Sequence, residues 1–580
     1  MPVIRTLALA ALLTTSLLAQ TTPQTTPATP ATTPPQATTP PARNPNNTPA
    51  PPPPTPTRAK IIHGAYGPYR ANNDLLYYHL DIRVDPVAKT IAGKNTIRFK
   101  MLSDATRIQL DLIDYLNIDS ITLNKQPLKY TRDSGAVFID FPQTLHLGQI
   151  YSIEFAYHGA PIARGRFGGM TYGTDPAGRP WITTACEGDG SYIWWPSKDQ
   201  WKDEPQEGMD ISVAIPNALT DISNGRFVSK IDLHDGYTQW NYHVSYPINS
   251  YDVALNIGAY EHFSQTYTSK FYPPLTLDFY ALPEDLDKAK SQFPQAIGMI
   301  EAFEHYFGEY PFARDGYKLI EVPYSGMEHQ TAVSYGNHFA NGYLERDWTG
   351  VGISPRFDFI IIHESGHEWF GNSITAADRA DMWIHEGWDT YLESLFVEFH
   401  YGKPDALKYL SGYVPKVLNR APIVGERGVD TTAPQDMYFK GALMINTLRS
   451  IINDDPRWFT LLHAFYQHFK YQNILTEDVI AWWNQNTGLN LTPFFNQYLR
   501  HTAIPALELN FDEATQTVLY KWQAEELNFT MPVRIGQQGT DESTWQIIHP
   551  TLQWQTLKTP LTKDQLTAAT NLYFINVSKT

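Results

Sequence analysis

The stretch from Phe357 to Glu393, FDFIIIHESGHEWFGNSITAADRADMWIHEGWDTYLE, carries the residue types and spacings best suited to chemistry. His363 and His367 are four apart. A helix advances about 100° per residue, so both imidazoles leave nearly the same face and can reach one metal ion. Glu386 follows His367 after eighteen intervening residues and is the third ligand of this reading. Two imidazoles, one carboxylate and an open position for water suit a catalytic zinc. Glu364 lies off the ligand face by about a quarter turn, where it can act as general base on water rather than bind the metal.

A His-Glu-x-x-His pattern alone is also compatible with an ordinary helix face. Its surroundings favour zinc. Phe359-Ile360-Ile361-Ile362 is an apolar run that ends on the first histidine, as expected of a buried helix. A second helix-like segment, Glu386 to Phe399, begins with the proposed third ligand.

HESGHEWFGN followed by WIHEGWDTYLE resembles the zinc aminopeptidase family of aminopeptidase N and the leukotriene-hydrolysing aminopeptidases, gluzincin metallopeptidases that share His-Glu-x-x-His, eighteen residues and Glu. The resemblance covers most of the chain after about residue 60. It implies an aminopeptidase with one Zn2+ per chain, acting on peptides with a free N-terminus. Ser325-Gly326-Met327-Glu328-His329 resembles the family's Gly-x-Met-Glu-Asn exopeptidase motif, with Ser325 and His329 as departures. Glu328 then anchors the substrate's α-amine, and the backbone at Gly326 and Met327 pairs with the substrate as an extra strand. Thr184-Ala185-Cys186-Glu187 matches the family's Thr-Gln-x-Glu element, which gives Glu187 a share of the α-amine while Ala185 stands where the family has Gln. Tyr438 opens Tyr438-Phe439-Lys440-Gly441-Ala442 and matches the catalytic tyrosine of Tyr-x-Lys-Gly-Ala. By the same resemblance Glu364 and Tyr438 are catalytic. Trp194-Trp195-Pro196 and Asp199 resemble a structural segment. Two readings compete with this one: a zinc-fold surface or peptide-binding protein without catalysis, and a metallo-endopeptidase.

These residues need a scaffold. The resemblance implies a multidomain α+β fold with an N-terminal β-sheet saddle domain, a thermolysin-like α/β catalytic domain and a small C-terminal β-sandwich. Alternation in Leu75–Ile82, Ile91–Phe99 and Gly236–Val244 marks the β domain over residues 58–265. Helical spacing over 284–308 opens the catalytic domain, 266–504, which also holds the aromatic residues Trp458, Phe459, Phe465, Trp482, Trp483, Phe494 and Phe495 as core. Strand patterns return in Leu507–Phe511, Val518–Trp522 and Met531–Ile535, within 505–580. The residues present do not match the large C-terminal helical domain of many relatives. Asp381 is the candidate to orient a ligand imidazole, since such ligands donate their other N–H to a carboxylate or carbonyl. His385 is either packed or a partner of a ligand.

Composition sets further bounds. The 580 residues suggest roughly three or four domains. Hydrophobic residues at 42% and charged residues at 18% fit a globular protein, and a net charge of −16 without a basic run excludes nucleic acid as partner. Residues 1–19 read as a signal peptide, with Arg5 before the apolar run Leu7 to Leu18. This implies export to the periplasm or beyond, with cell-surface association open and no stable membrane span after removal. Residues 20–57, rich in Pro and Thr, cannot bury a core and read as an extended or disordered linker. One cysteine, Cys186, excludes an intrachain disulfide and reads as a small buried residue.

Overall fold

A computed structural model of the chain describes residues 55–165 and 168–580. The signal-peptide reading, and the linker reading apart from 55–57, lie outside the described residues. Among the described residues no helix is long and apolar enough to cross a membrane.

The period-two pattern near the start becomes the strand Asn73–Asp85, in which Tyr78, Leu80, Ile82 and Val84 are buried and the residues between them are half-buried. A bulge between Leu75 and Tyr77 lets Leu75 and Leu76 both face inward. This strand sits inside an eight-stranded sheet, between Met209–Pro216 and Thr90–Met101. A four-stranded sheet contains Pro180–Ala185, whose end delivers Glu187 two residues later.

The loop carrying Glu187 is held by a buried ion pair. Arg70 Nη2 lies 2.7 Å from Asp111 Oδ2, and neither side chain is exposed. The same Asp111 oxygen accepts the backbone N–H of Asp199 at 3.1 Å. Asp199 in turn accepts from the backbone N–H and the hydroxyl of Ser191, both at 3.0 Å. Gly190 has φ +91°, and a Cβ there would stand 2.2 Å from Asp199 Oδ2, so this turn requires glycine.

The five-stranded sheet runs in the order Glu261–Tyr267, Leu275–Ala281, Tyr317–Glu321, Val333–Tyr335, Gly326–Met327. Glu261–Tyr267 pairs with Leu275–Ala281 along its whole length, so this sheet takes in residues on both sides of position 265. The helical pattern over 284–308 is two helices, Leu286–Gln292 and Gln295–Phe307. Pro294 separates them, because proline offers no N–H and its ring crowds the preceding turn. The helix that carries His363 is Phe359–Gly366, buried throughout and capped by Asp358, which accepts from the N–H of Ile360 at 3.1 Å. The next helix spans Trp383–Tyr401, so Glu386 sits in its first turn rather than at its start.

Helix Asp436–Ile452 crosses Trp383–Tyr401 at two glycines. A Cβ on Gly441 would stand 2.9 Å from the Cα of Gly387. A Cβ on Gly387 would stand 3.0 Å from Met437 O. Backbones meet here without side chains between them, which sets Tyr438 beside Glu386. The aromatic core reading holds for most of its members: Trp458, Trp483 and Phe465 are fully enclosed, Phe494 and Phe495 nearly so, while Phe459 is only partly buried. The C-terminal residues form a four-stranded sheet containing Ala506–Asp512 and Thr517–Gln523 and a three-stranded sheet centred on Val533–Gln537. The C-terminal segment docks on two helices: Phe574 N donates to Thr447 Oγ1 at 2.9 Å on Asp436–Ile452, the tyrosine helix that carries Tyr438, and Tyr498 on Thr492–Leu499 donates to Phe574 O at 2.7 Å.

Asp111→Ala leaves the Arg70 guanidinium buried without its carboxylate and is expected to cost about 3–5 kcal/mol. Urea unfolding measures it, and a midpoint equal to the parent's would contradict the network's role.

Candidate active site

Three of the residues expected to bind metal come together. Donor atoms of His363, His367 and Glu386 all lie within 4.8 Å of one another, and all three residues are buried. Glu386 Oε2 is 3.5 Å from His367 Nε2 and 3.7 Å from His363 Nε2. Ligands held about 2.0–2.2 Å from a tetrahedral zinc must be spaced roughly 3.3–3.6 Å apart, so these separations fit such an ion. Glu386 Oε2 is buried without a hydrogen-bond partner, an expense that a cation at this point removes. His367 is the cap residue after the last helical turn but keeps right-handed helical angles, which preserves the four-residue spacing.

The other ring nitrogens are engaged, which fixes the tautomers. His363 Nδ1 lies 2.8 Å from Glu393 Oε1, and His367 Nδ1 lies 2.9 Å from Phe370 O. Each Nδ1–H donates outward and leaves the Nε2 lone pair for a metal. Glu393 is itself held by Tyr409, which donates to Oε2 at 2.7 Å, and by Tyr413. Asp389 Oδ2 is also 2.9 Å from His363 Nδ1, without hydrogen-bond geometry. Asp381 does not orient a ligand. It binds Arg427 at 2.7 and 2.8 Å and accepts from Thr476. The orienting carboxylate, Glu393, stands seven residues after Glu386 on the same face of its helix. That spacing was the available signal, and Asp381 lies before the helix begins.

His385 is packed: its Nε2 accepts the Ala376 N–H at 2.8 Å and its ring stacks on Trp201 at 5.0 Å. Burial pushes it down to about 3. His329 is also buried and pushed down to about 3, with Nδ1 3.1 Å from Ser334 Oγ. Cys186 is buried, and burial pushes its thiol up, as expected of a packing residue.

Gly326 and Met327 form the edge strand, paired to Tyr335 and Ser334. Glu364 lies directly against Gly326, where a Cβ would stand 2.6 Å from Glu364 Oε1. Burial pushes Glu364 up to about 8, against the pull of His363. Glu328 accepts from Tyr251 at 3.1 Å. Its loop is held by the turn after the second histidine: Asn372 donates to Glu328 O at 2.7 Å and Glu368 accepts the Thr331 N–H at 2.7 Å. Glu187 Oε1 is enclosed without a partner. Burial pushes Glu187 and Glu328 above the usual carboxylate range, and Glu328 and Glu386 push Glu187 further. For Glu386 burial is outweighed by His367 and His363, which hold it low. The centre therefore carries more carboxylate than cation and suits a divalent metal beside an ammonium group. Tyr438 donates to Glu386 Oε1 at 2.6 Å. Sequence reasoning missed Arg379, whose Nη2 donates to Glu187 O at 2.7 Å and Gly188 O at 2.8 Å while Nη1 lies 2.9 Å from Asp430.

Gly441→Val is expected to separate the two helices, move Tyr438 from Glu386 and lower kcat by more than tenfold, with the three metal ligands still able to bind zinc. Activity assays beside metal analysis measure this. Arg379→Ala is expected to raise KM more than it lowers kcat, because it releases the Glu187 loop; an unchanged KM would contradict that role.

Comparison with known proteins follows the same outline. The Peptidase M1 N-terminal domain matches residues 75–251 and the Peptidase family M1 domain matches residues 292–498. Aminopeptidase B of Mus musculus is 24% identical over 463 residues, covering 71% of this chain and 65% of its own length. Endoplasmic reticulum aminopeptidase 1 of Mus musculus is 22% identical over 437 residues, covering 70% of this chain and 45% of its own. The chain thus spans two thirds or less of these relatives. A crystal structure of an M1 zinc metallopeptidase mutant from Deinococcus radiodurans has the same fold, with TM-score 0.62 and 19% identity, covering 75% of this chain and 96% of that one. With two family domains matched over about two thirds of the chain, around a centre built from its own His-Glu-x-x-His helix, the chain belongs to peptidase family M1.

Proposed function

We propose that this protein is a zinc-dependent aminopeptidase that removes single residues from the N-termini of peptides. The observation that carries this is the set of buried carboxylates beside the metal cradle: Glu187 and Glu328 sit next to the site with no cation of the protein paired to them among the described residues. An α-ammonium supplies that charge, and charge-assisted bonds at one end fix the register of the peptide. The Deinococcus radiodurans M1 zinc metallopeptidase has been crystallised with a Tyr-Ser-Ala substrate, and two-domain M1 zinc metallopeptidase mutants with L-tryptophan and with L-arginine, which supports a site for free amino ends.

His363, His367 and Glu386 hold the ion in this proposal. When bound, zinc polarises the scissile carbonyl and makes water more acidic. Glu364 takes a proton from the attacking water and returns it to the departing amine. Burial, which favours its neutral form, helps Glu364 hold that proton between the two transfers. Tyr438 turns its hydroxyl from Glu386 toward the oxygen on which negative charge grows, where a preorganised donor has most effect. Edge strand Gly326–Met327 offers its free side to the peptide backbone. Export remains a proposal that rests on the leader-like composition of residues 1–19.

Glu364→Gln is expected to retain zinc and lose at least about 10²-fold in kcat, and a chelator should abolish wild-type turnover reversibly. Tyr438→Phe is expected to lower kcat by about 10²–10³. Glu328→Gln is expected to weaken free-amine peptides selectively. An enzyme that cuts N-acetylated peptides as well as free ones is an endopeptidase instead, and one that binds zinc and peptide without cutting either is a binding protein.

A further inference from the structure

The five-stranded sheet opens onto a cavity that the chemistry above leaves unused. Strands Leu275–Ala281, Tyr317–Glu321 and Val333–Tyr335 run parallel to one another. The segments beyond their carboxyl ends, at 285–288, 321–324 and 335–339, together with 344–346 and Trp181, line an open cavity of about 970 Å3. Crevices past the carboxyl ends of parallel strands are where open sheets bind ligands, and the volume is at the upper end of ligand sites.

The edge strand fixes how a peptide would approach this space. Glu364 lies at Gly326, within 2.6 Å of where a Cβ would be. The proposed amine anchor, Glu328, comes two residues later in the chain. A peptide with its amine at Glu328 and its first peptide bond at Glu364 therefore runs against the direction of Gly326–Met327. Continuing that way, it passes Ser325 and reaches 322–324, which form the cavity wall. An extended chain advances about 3.3–3.6 Å per residue, so about three residues lead from Gly326 to Pro323, and residues from roughly the fourth onward enter the cavity.

The geometry points to this cavity as the seat of the substrate's C-terminal part, which makes the protein select peptides of four or more residues over dipeptides and single-residue amides. The inference rests on the aminopeptidase reading and deepens it. Phe339 is half-buried at this wall and offers apolar surface to a peptide, while Trp181, Tyr324 and Tyr335 are buried behind it and keep the wall rigid. At the rim Lys288 is occupied by Asp285 at 2.5 Å, and burial pushes Glu321 up to about 8. Arg346 is exposed, makes no ion pair among the described residues and faces the same space as Glu345. It is the cation open to a carboxylate in the substrate's tail. Its backbone N–H and C=O are both bonded to Tyr343, so replacing the side chain spares the turn.

The test is a series of free-amine alanyl peptides of two to seven residues, with C-termini free or amidated, beside a single-residue nitroanilide. For the parent protein kcat/KM is expected to rise at least tenfold between two and five residues. In Arg346→Glu the ratio of heptapeptide to dipeptide is expected to fall severalfold, more for free than for amidated C-termini. Flat length dependence in the parent, or a ratio unchanged in the variant for both C-termini, would overturn the inference. Binding of a fluorescent heptapeptide to Glu364→Gln supplies a reading without turnover: affinity no better than that of a labelled dipeptide overturns it too. Failure of the aminopeptidase reading looks different, as no release of nitroaniline or free amino acid from any substrate.

Discussion

The excess of buried carboxylate at the centre is the constraint from which the rest follows. Glu187, Glu328, Glu364, Glu386, Asp389 and Glu393 converge on two imidazoles, and burying ionised carboxylates without partners is costly. The chain can bear this only if something positive comes from outside or if protons stay on some of the groups. Each supporting element keeps the cluster from relaxing. Asp358 caps the first helix, Glu393 and Phe370 O lock the rings, and Arg379 and the Arg70–Asp111 pair hold the Glu187 loop. A site that cannot relax is one whose empty position retains a fixed preference for charge.

Two glycines matter as much as the charged groups. The tyrosine helix reaches the metal cradle because Gly387 and Gly441 put no side chain between the backbones. A third glycine, Gly326, makes room for the Glu364 carboxylate in the same manner. In each case the chemistry of a neighbour depends on an atom that is missing, so shape and reactivity are set together.

Much of this was legible in the sequence. The period-four histidines, the apolar run before them and the alternation at Leu75–Ile82 follow from helix and strand geometry and took the expected form. Less was legible where partners come from distant segments. Glu393 was readable as i+7 from Glu386, yet only the fold tells that this face meets His363 rather than solvent. Arg379 bridges to Glu187 across nearly two hundred residues, and no local pattern announces it. The break at Pro294 was readable and shows that hydrophobic spacing alone overruns a proline.

The C-terminal sheets lie apart from the His363–His367–Glu386 centre in sequence, yet Thr447 on the tyrosine helix accepts the Phe574 N–H and Tyr498 donates to the Phe574 carbonyl. Thr447 and Tyr438 share the helix Asp436–Ile452, so this contact sits on the same element as the phenol. The terminal β module is thereby stitched to the element that places the Tyr438 hydroxyl at Glu386, so a chain cut before it would leave that helix face bare.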